Sequence, residues 1–164
     1  MNIDLSLLSG YPENVISQVK TLIQQGRLDN YLQSTYCESH NIRTDKALFT
    51  YVQDIKRNYM KKGSPIHKVS FDDRIDVLYN ALGLHSFVSR VQGKRLKSKN
   101  EIRISSLFKK APSEFLHMIV VHELSHLKVK EHNKDFYRLC HHMDPHYSQL
   151  EFDLRLYLIS LDLK

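Results

Sequence analysis

The sequence has only two cysteines among its 164 residues and no long apolar run. Cys37 and Cys140 stand far apart and without C-x-x-C spacing, which predicts reduced thiols rather than a disulfide scaffold. No run approaches the roughly 18 consecutive apolar residues of a membrane helix, and the N-terminus lacks a basic segment followed by an apolar stretch. We therefore expect a cytoplasmic protein with no signal peptide and no membrane partner.

Positive charge is concentrated in one part of the chain. The sequence has 24 Lys and Arg against 18 Asp and Glu, a formal net charge of +6. Residues 90–110 contain a single acid, Glu101, and eight basic residues, which are Arg90, Lys94, Arg95, Lys97, Lys99, Arg103, Lys109 and Lys110. Such a patch attracts anions, so nucleotide phosphates, nucleic acid or acidic polypeptide are candidate partners. A solvated hairpin is the alternative interpretation.

The pattern with the clearest chemistry is His122-Glu123-Leu124-Ser125-His126, an H-E-x-x-H motif inside an apolar run. Residues four apart lie on one face of an α-helix, so the two imidazoles can bind one ion. The intervening glutamate can accept a proton from a water held by that ion. The alternative is a core helix that merely accommodates two histidines, but buried imidazoles and a carboxylate would need polar partners.

A zinc site of this kind needs a third protein ligand, and the sequence offers three candidates. His132 follows His126 by six residues, an offset that a continuous helix would rotate by about 240° and move by roughly 9 Å. The helix must therefore break between Lys128 and Glu131, where no glycine or proline stands. Asn133 can cap a new helix and so favours the break. His146 and Glu151 are the rivals, and Glu151, which would give a two-His, one-Glu set, is the next choice after His132.

The remaining pattern predicts an α+β domain over residues 1–164. Helical spacing marks three N-terminal helices, the first opened by Pro12, the second running from Leu28 to Tyr36 and the third starting near Thr44. Alternating residues then predict a small, mostly antiparallel sheet. Its expected parts are a hairpin across Asp72-Asp73 and strands at 84–91 and 101–105. The motif helix and C-terminal helices follow.

With these residues in view, the chain resembles the YgjP-like family of small metal-dependent hydrolases, relatives of the SprT-type and minimal zincin peptidases. The likeness is carried by GYP at 10–12, TDKAL at 44–48, NALGLH at 80–85, SRVQG at 89–93, IVVHELSHLK at 119–128, EHNK at 131–134 and LEFDLRL at 150–156. It implies a zincin-type helix with His122, His126 and His132 as metal ligands and Glu123 as general base. It also implies that close relatives are pyrophosphatases acting on nucleoside triphosphates such as UTP.

We therefore expect a hydrolase that binds one Zn²⁺, or another divalent metal, and acts on a nucleoside triphosphate or a peptide. A metallopeptidase acting on polypeptides is the first alternative, and a zinc-containing nucleic-acid-binding module is the second. The expected substrate-binding residues are basic or can donate a hydrogen bond to developing negative charge. They are Arg90, Lys94, Arg95, Arg103, Tyr147 and Arg155.

Overall fold

The computed structural model describes residues 3–75 and 100–164. Its first part is helical, as predicted: α1 spans Glu13–Gln24, α2 spans Leu28–Thr35 and α3 spans Asp45–Tyr59, after a short 3-10 turn at Ser6–Leu8. Pro12 is the cap residue of α1, and Gly26, with a φ of 65°, follows its end. Thr44 caps α3 by accepting a hydrogen bond from the amide of Ala47 at 3.1 Å.

Two strands are described, β1 at Lys68–Asp72 and β2 at Glu101–Ser105, so the strand predicted at 101–105 is confirmed. The prediction of a mostly antiparallel sheet is wrong for this pair, because β1 and β2 are parallel, with Val69 opposite Ile102. In sequence, β1 and β2 are separated by residues 73–100. A connection of that length suits a parallel pair, which needs a crossover of a dozen or more residues. The strand predicted at 84–91 lies outside the described residues, as does most of the second hairpin strand.

The motif helix, α4, spans Ser113–His126 and is the centre of the domain. It packs against α3 and β2 and against the two helices that follow it, α5 at Lys134–Met143 and α6 at Tyr147–Asp162. Every residue of α4 from Met118 to His126 is buried. A helix that is apolar around its circumference belongs in the middle of a core, which explains why α4 carries polar motif residues into the interior.

The observed mixture of helices and a small sheet confirms the predicted α+β class. Among residues 3–75 and 100–164, none of the helices is both long enough and apolar enough to cross a membrane.

Candidate metal centre

Two histidines of α4 present their outer ring nitrogens to each other. His122 and His126 are 2% and 5% exposed, and their Nε2 atoms lie 3.1 Å apart. Glu123, beside them in the sequence, is 2% exposed. The four-residue spacing on one buried helix therefore produces the side-by-side imidazoles that the motif predicted.

The chain leaves the helix immediately after the second histidine. Sequence analysis placed the break between Lys128 and Glu131, whereas α4 ends at His126. The last helical hydrogen bond runs from the amide of Val129 to the carbonyl of Ser125 at 2.9 Å. The carbonyl of Val129 then lies 3.1 Å from Nδ1 of His126. The ring of His126 thus contacts the backbone carbonyl that a further helical turn would have used. The helix can therefore end here without a glycine.

The loop after α4 returns His132 to the pair. Asn133 caps α5, as predicted, and its side chain accepts a hydrogen bond from the amide of Phe136 at 3.0 Å. Because α5 begins at this cap, the residue before it, His132, is held in place, and its Nε2 lies 3.0 Å from Nε2 of His126. His132 is exposed, in contrast to its two partners.

The three nitrogens lie close enough together to surround one metal ion. In the described part of the chain, His122, His126 and His132 form a group whose ligand atoms all lie within 4.8 Å of one another. Zn–N bonds of about 2.0–2.1 Å place tetrahedral ligand atoms about 3.3 Å apart, and the two separations that involve His126, 3.1 and 3.0 Å, are close to that value. Because a carbonyl can only accept, Nδ1 of His126 carries the proton opposite Val129, which leaves the lone pair on Nε2.

Phe136 forms an apolar floor beneath all three imidazoles. Its fully buried ring lies 5.0, 4.5 and 4.9 Å, centroid to centroid, from the rings of His122, His126 and His132. Burial lowers the pKa of His132, although the charge of Glu151 acts in the opposite direction. A lowered pKa favours the neutral imidazole that binds metal. The sequence pattern assigned Phe136 no role at the site. Its position four residues after His132 was the signal that could have placed it beside that histidine.

Tyr147 contacts the rear of the site. Its hydroxyl lies 2.7 Å from Nδ1 of His122, and the residue is completely buried. Burial, and then the charge of the Glu151 carboxylate, raise the pKa of this phenol well above its ordinary value. Sequence analysis expected Tyr147 to act on the substrate, whereas the structure puts its hydroxyl on the ring nitrogen that faces away from the other two histidines.

Among the other predicted substrate residues, the two that the structure describes have protein partners. Arg155 donates to Glu151 at 3.1 Å and to the carbonyl of Leu7 at 2.8 Å. Arg103 on β2 pairs with Glu101 at 3.2 Å. Arg90, Lys94 and Arg95 lie outside the described residues.

Sequence analysis also passed over three basic residues close to the third histidine in the chain. Lys128 and Lys130 precede His132 in the loop, Lys134 opens α5, and all three side chains are exposed. The signal for these residues was the presence of three lysines within residues 128–134. The greater number of basic residues at 90–110 drew attention away from it. These lysines supply positive charge to the loop that carries His132.

Comparisons with known proteins agree with this geometry. Residues 16–157 match the family model described as YgjP-like, metallopeptidase domain. Over 160 residues the chain is 56% identical to a protein named UTP pyrophosphatase from Escherichia coli (strain K12), covering 98% of this chain and 96% of that protein. No solved structure is significantly similar to the chain. The matched region contains the whole histidine cluster and Glu123.

Proposed function

Because the chain belongs to the YgjP-like family, described as a metallopeptidase domain, we propose that it is a zinc-dependent pyrophosphatase of nucleoside triphosphates, with UTP as the leading substrate. Family membership confirms the resemblance predicted from the sequence and the prediction of an enzyme. The observation that carries the proposal is the convergence of three imidazole Nε2 atoms beside a buried glutamate.

The roles of the residues follow from their chemistry. His122, His126 and His132 would hold the ion through neutral imidazoles. When bound, a zinc ion in this site would lower the pKa of a water toward ~7 and polarise a phosphoryl oxygen. Glu123 would accept the proton of the attacking water and later deliver it to the leaving group. Water would attack phosphorus, and the anhydride bond between the α- and β-phosphates would break. The products would be a nucleoside monophosphate and pyrophosphate.

The substrate class is supported by charge as well as by the relative's name. Lys128, Lys130 and Lys134 put three cations, against the two acids Glu131 and Asp135, on the loop and helix start that flank His132. A triphosphate is a polyanion, and its binding gains from such a field, whereas a peptide backbone does not require one. We also propose that residues 1–164 act as a single domain in the cytoplasm. The free thiols of Cys37 and Cys140 support that location.

Peptide hydrolysis is the second candidate, because the matched family model is described as a metallopeptidase domain. The same three imidazoles and glutamate could activate water against a carbonyl carbon. The two reactions are separated by substrate, so both must be assayed on the same preparation.

The decisive experiment compares wild type with Glu123→Gln. Bound metal is measured by mass spectrometry, UTP hydrolysis by separating the nucleotide products, and peptide hydrolysis with a peptide library. We expect the variant to retain its metal and to lose about 10²- to 10⁴-fold in UTP turnover, because it lacks the proton acceptor.

Glu131→Gln is the matched control for that experiment, because it removes an exposed carboxylate from the loop next to His132. It should leave metal content and turnover close to those of wild type. UTP hydrolysis that survives both Glu123→Gln and chelation would overturn the proposed mechanism. Peptide cleavage lost in Glu123→Gln, with no UTP hydrolysis by wild type, would select the second candidate.

A further inference from the structure

Three polar residues of α6 lie one helical turn apart on one face and lead away from the histidine cluster. They are Tyr147, Glu151 and Arg155, at positions i, i+4 and i+8, and we call them the α6 row. The first member touches His122 at 2.7 Å, and the last is joined to the carbonyl of Leu7 at 2.8 Å. The row therefore contacts a ring of the cluster at one end and the N-terminal segment at the other.

The hydrogen bonds of the row have a consistent direction. If Nε2 of His122 keeps its lone pair for a metal, Nδ1 carries the proton and donates it to the Tyr147 hydroxyl. That hydroxyl then has its own proton to donate, and the Glu151 carboxylate lies one turn further along the same face of α6. Glu151 is held in turn by Arg155, whose Nη2 donates to it at 3.1 Å. The hydrogen bonds of the row thus join Tyr147 to His122 at one end, and Arg155 to Glu151 and Leu7 at the other.

Burial argues that the row acts on the ring and not on a substrate. Tyr147 has no exposed surface, and the side chains of Glu151 and Arg155 are 16% and 19% exposed. Metal-binding histidines usually donate their second ring nitrogen to a carboxylate or another acceptor, which fixes the ring and makes it a better ligand. Here a tyrosine stands between the histidine and the carboxylate.

We propose that the α6 row is a positioning device that fixes the tautomer and orientation of His122 and thereby strengthens metal binding. This inference rests on the metal site of the proposed function. It assigns Tyr147 and Arg155 to the support of a ligand, in place of the substrate contacts expected from the sequence. It also makes Glu151 a remote carboxylate partner of the site instead of the third ligand.

The test measures zinc affinity by competition with a chelator of known affinity, together with the visible spectrum of the cobalt-substituted protein. Tyr147→Phe keeps the ring and removes the hydroxyl, and we expect it to weaken zinc binding about 10- to 100-fold and to shift the cobalt bands. Glu151→Gln keeps an acceptor oxygen without the charge, and we expect a smaller loss. It also keeps the inference testable if Tyr147→Phe fails to fold.

Tyr137→Phe is the matched control. It removes a half-exposed hydroxyl whose ring packs 6.3 Å from that of Tyr147, and it should bind zinc like wild type. Tight binding by wild type together with unchanged affinity and spectrum in Tyr147→Phe and Glu151→Gln would overturn the α6 row alone. Wild type that binds zinc no better than His126→Ala would overturn the metal site and the row together.

Discussion

A histidine binds a metal only through a nitrogen that has no proton, so the second nitrogen of each ring needs a partner that accepts one. The Val129 carbonyl supplies that acceptor for His126, and the Tyr147 hydroxyl lies 2.7 Å from Nδ1 of His122, where it can accept that proton. Phe136 closes the apolar side of all three rings. At the scale of single residues, groups that contact the outer sides of the three rings therefore favour the arrangement in which the ring nitrogens could bind a cation.

The role of His132 can be tested directly. His132→Ala removes one of the three converging nitrogens, and we expect zinc affinity to fall by more than the ~10- to 100-fold typical of changes outside the ligand set. Chelator competition and metal analysis by mass spectrometry provide the measurement. His142→Ala, an exposed histidine on α5, is the control and should retain its zinc. Metal that persists in His132→Ala but is lost in Glu151→Ala would give the third position to the glutamate.

At the scale of helices and strands, the ends of α4 and α5 matter most, because the loop between them carries His132, the candidate third ligand. Asn133→Ala removes the side chain that caps α5. We expect it to cost about 1 kcal/mol in the free energy of unfolding, and to weaken zinc binding as well because the cap fixes the residue after His132. Urea unfolding of the metal-free protein and chelator competition measure the two effects.

Thr44→Ala is the matched control, because Thr44 caps α3 in the same way but outside the histidine cluster. It should lower the free energy of unfolding by a similar amount and leave zinc affinity unchanged. Equal zinc affinity in the two variants would show that the α5 cap supports the helix without supporting the site.

The elements could be predicted from the sequence to different degrees. Helical periodicity and caps located α1, α2, α3 and the start of α5, because these signals are local. The direction of pairing between β1 and β2 was missed, since alternation reveals a strand but not its neighbour, and a hairpin seemed the shortest connection. The end of α4 was placed two residues late because it is set by a ring-to-backbone contact at His126, which no local pattern encodes.

At the scale of the whole molecule, a partly buried contact between His117 and Asp144 joins the central helix to the turn before α6. Nδ1 of His117 lies 2.7 Å from the Asp144 carboxylate, which also accepts from the amide of His146 at 2.9 Å. Burial alone would raise the pKa of Asp144, but the hydrogen bonds from His117 and His146 hold it below its ordinary value of 3.8. The folded protein therefore keeps this carboxyl charged where the unfolded chain binds a proton.

A dependence of stability on pH follows from that shift. Stability from Asp144 is fully present above its ordinary pKa and is lost as the pH falls through the lowered folded value. Asp144→Asn should cost about 1.5–3 kcal/mol in the free energy of unfolding at neutral pH, and its difference from wild type should shrink in acid. Urea unfolding across a pH series measures this. Asp54→Asn, which breaks an exposed pair with Arg57, should change stability by at most about 0.5 kcal/mol.

The candidate site shows the same limit of prediction as the fold. The three histidines and Glu123 could be named from spacing and resemblance because the motif itself encodes a helical face. The position of Tyr147 behind His122 could not be foreseen, because it joins residues from α4 and α6 that meet only in the folded core. The pairing of Arg103 with Glu101 depends likewise on side-chain orientation and not on charge density alone.

The contrast between two buried histidines and one exposed histidine has a kinetic consequence. His122 and His126 are fixed on a rigid helix before any ion arrives, whereas His132 lies on a loop that solvent reaches. If the three histidines hold an ion, a chelator would therefore gain its first coordination position on that ion by displacing His132, the residue of the three that solvent reaches. We expect metal exchange to occur at the rate at which that loop opens, independently of global unfolding. Metal would then bind to and be removed from the native protein.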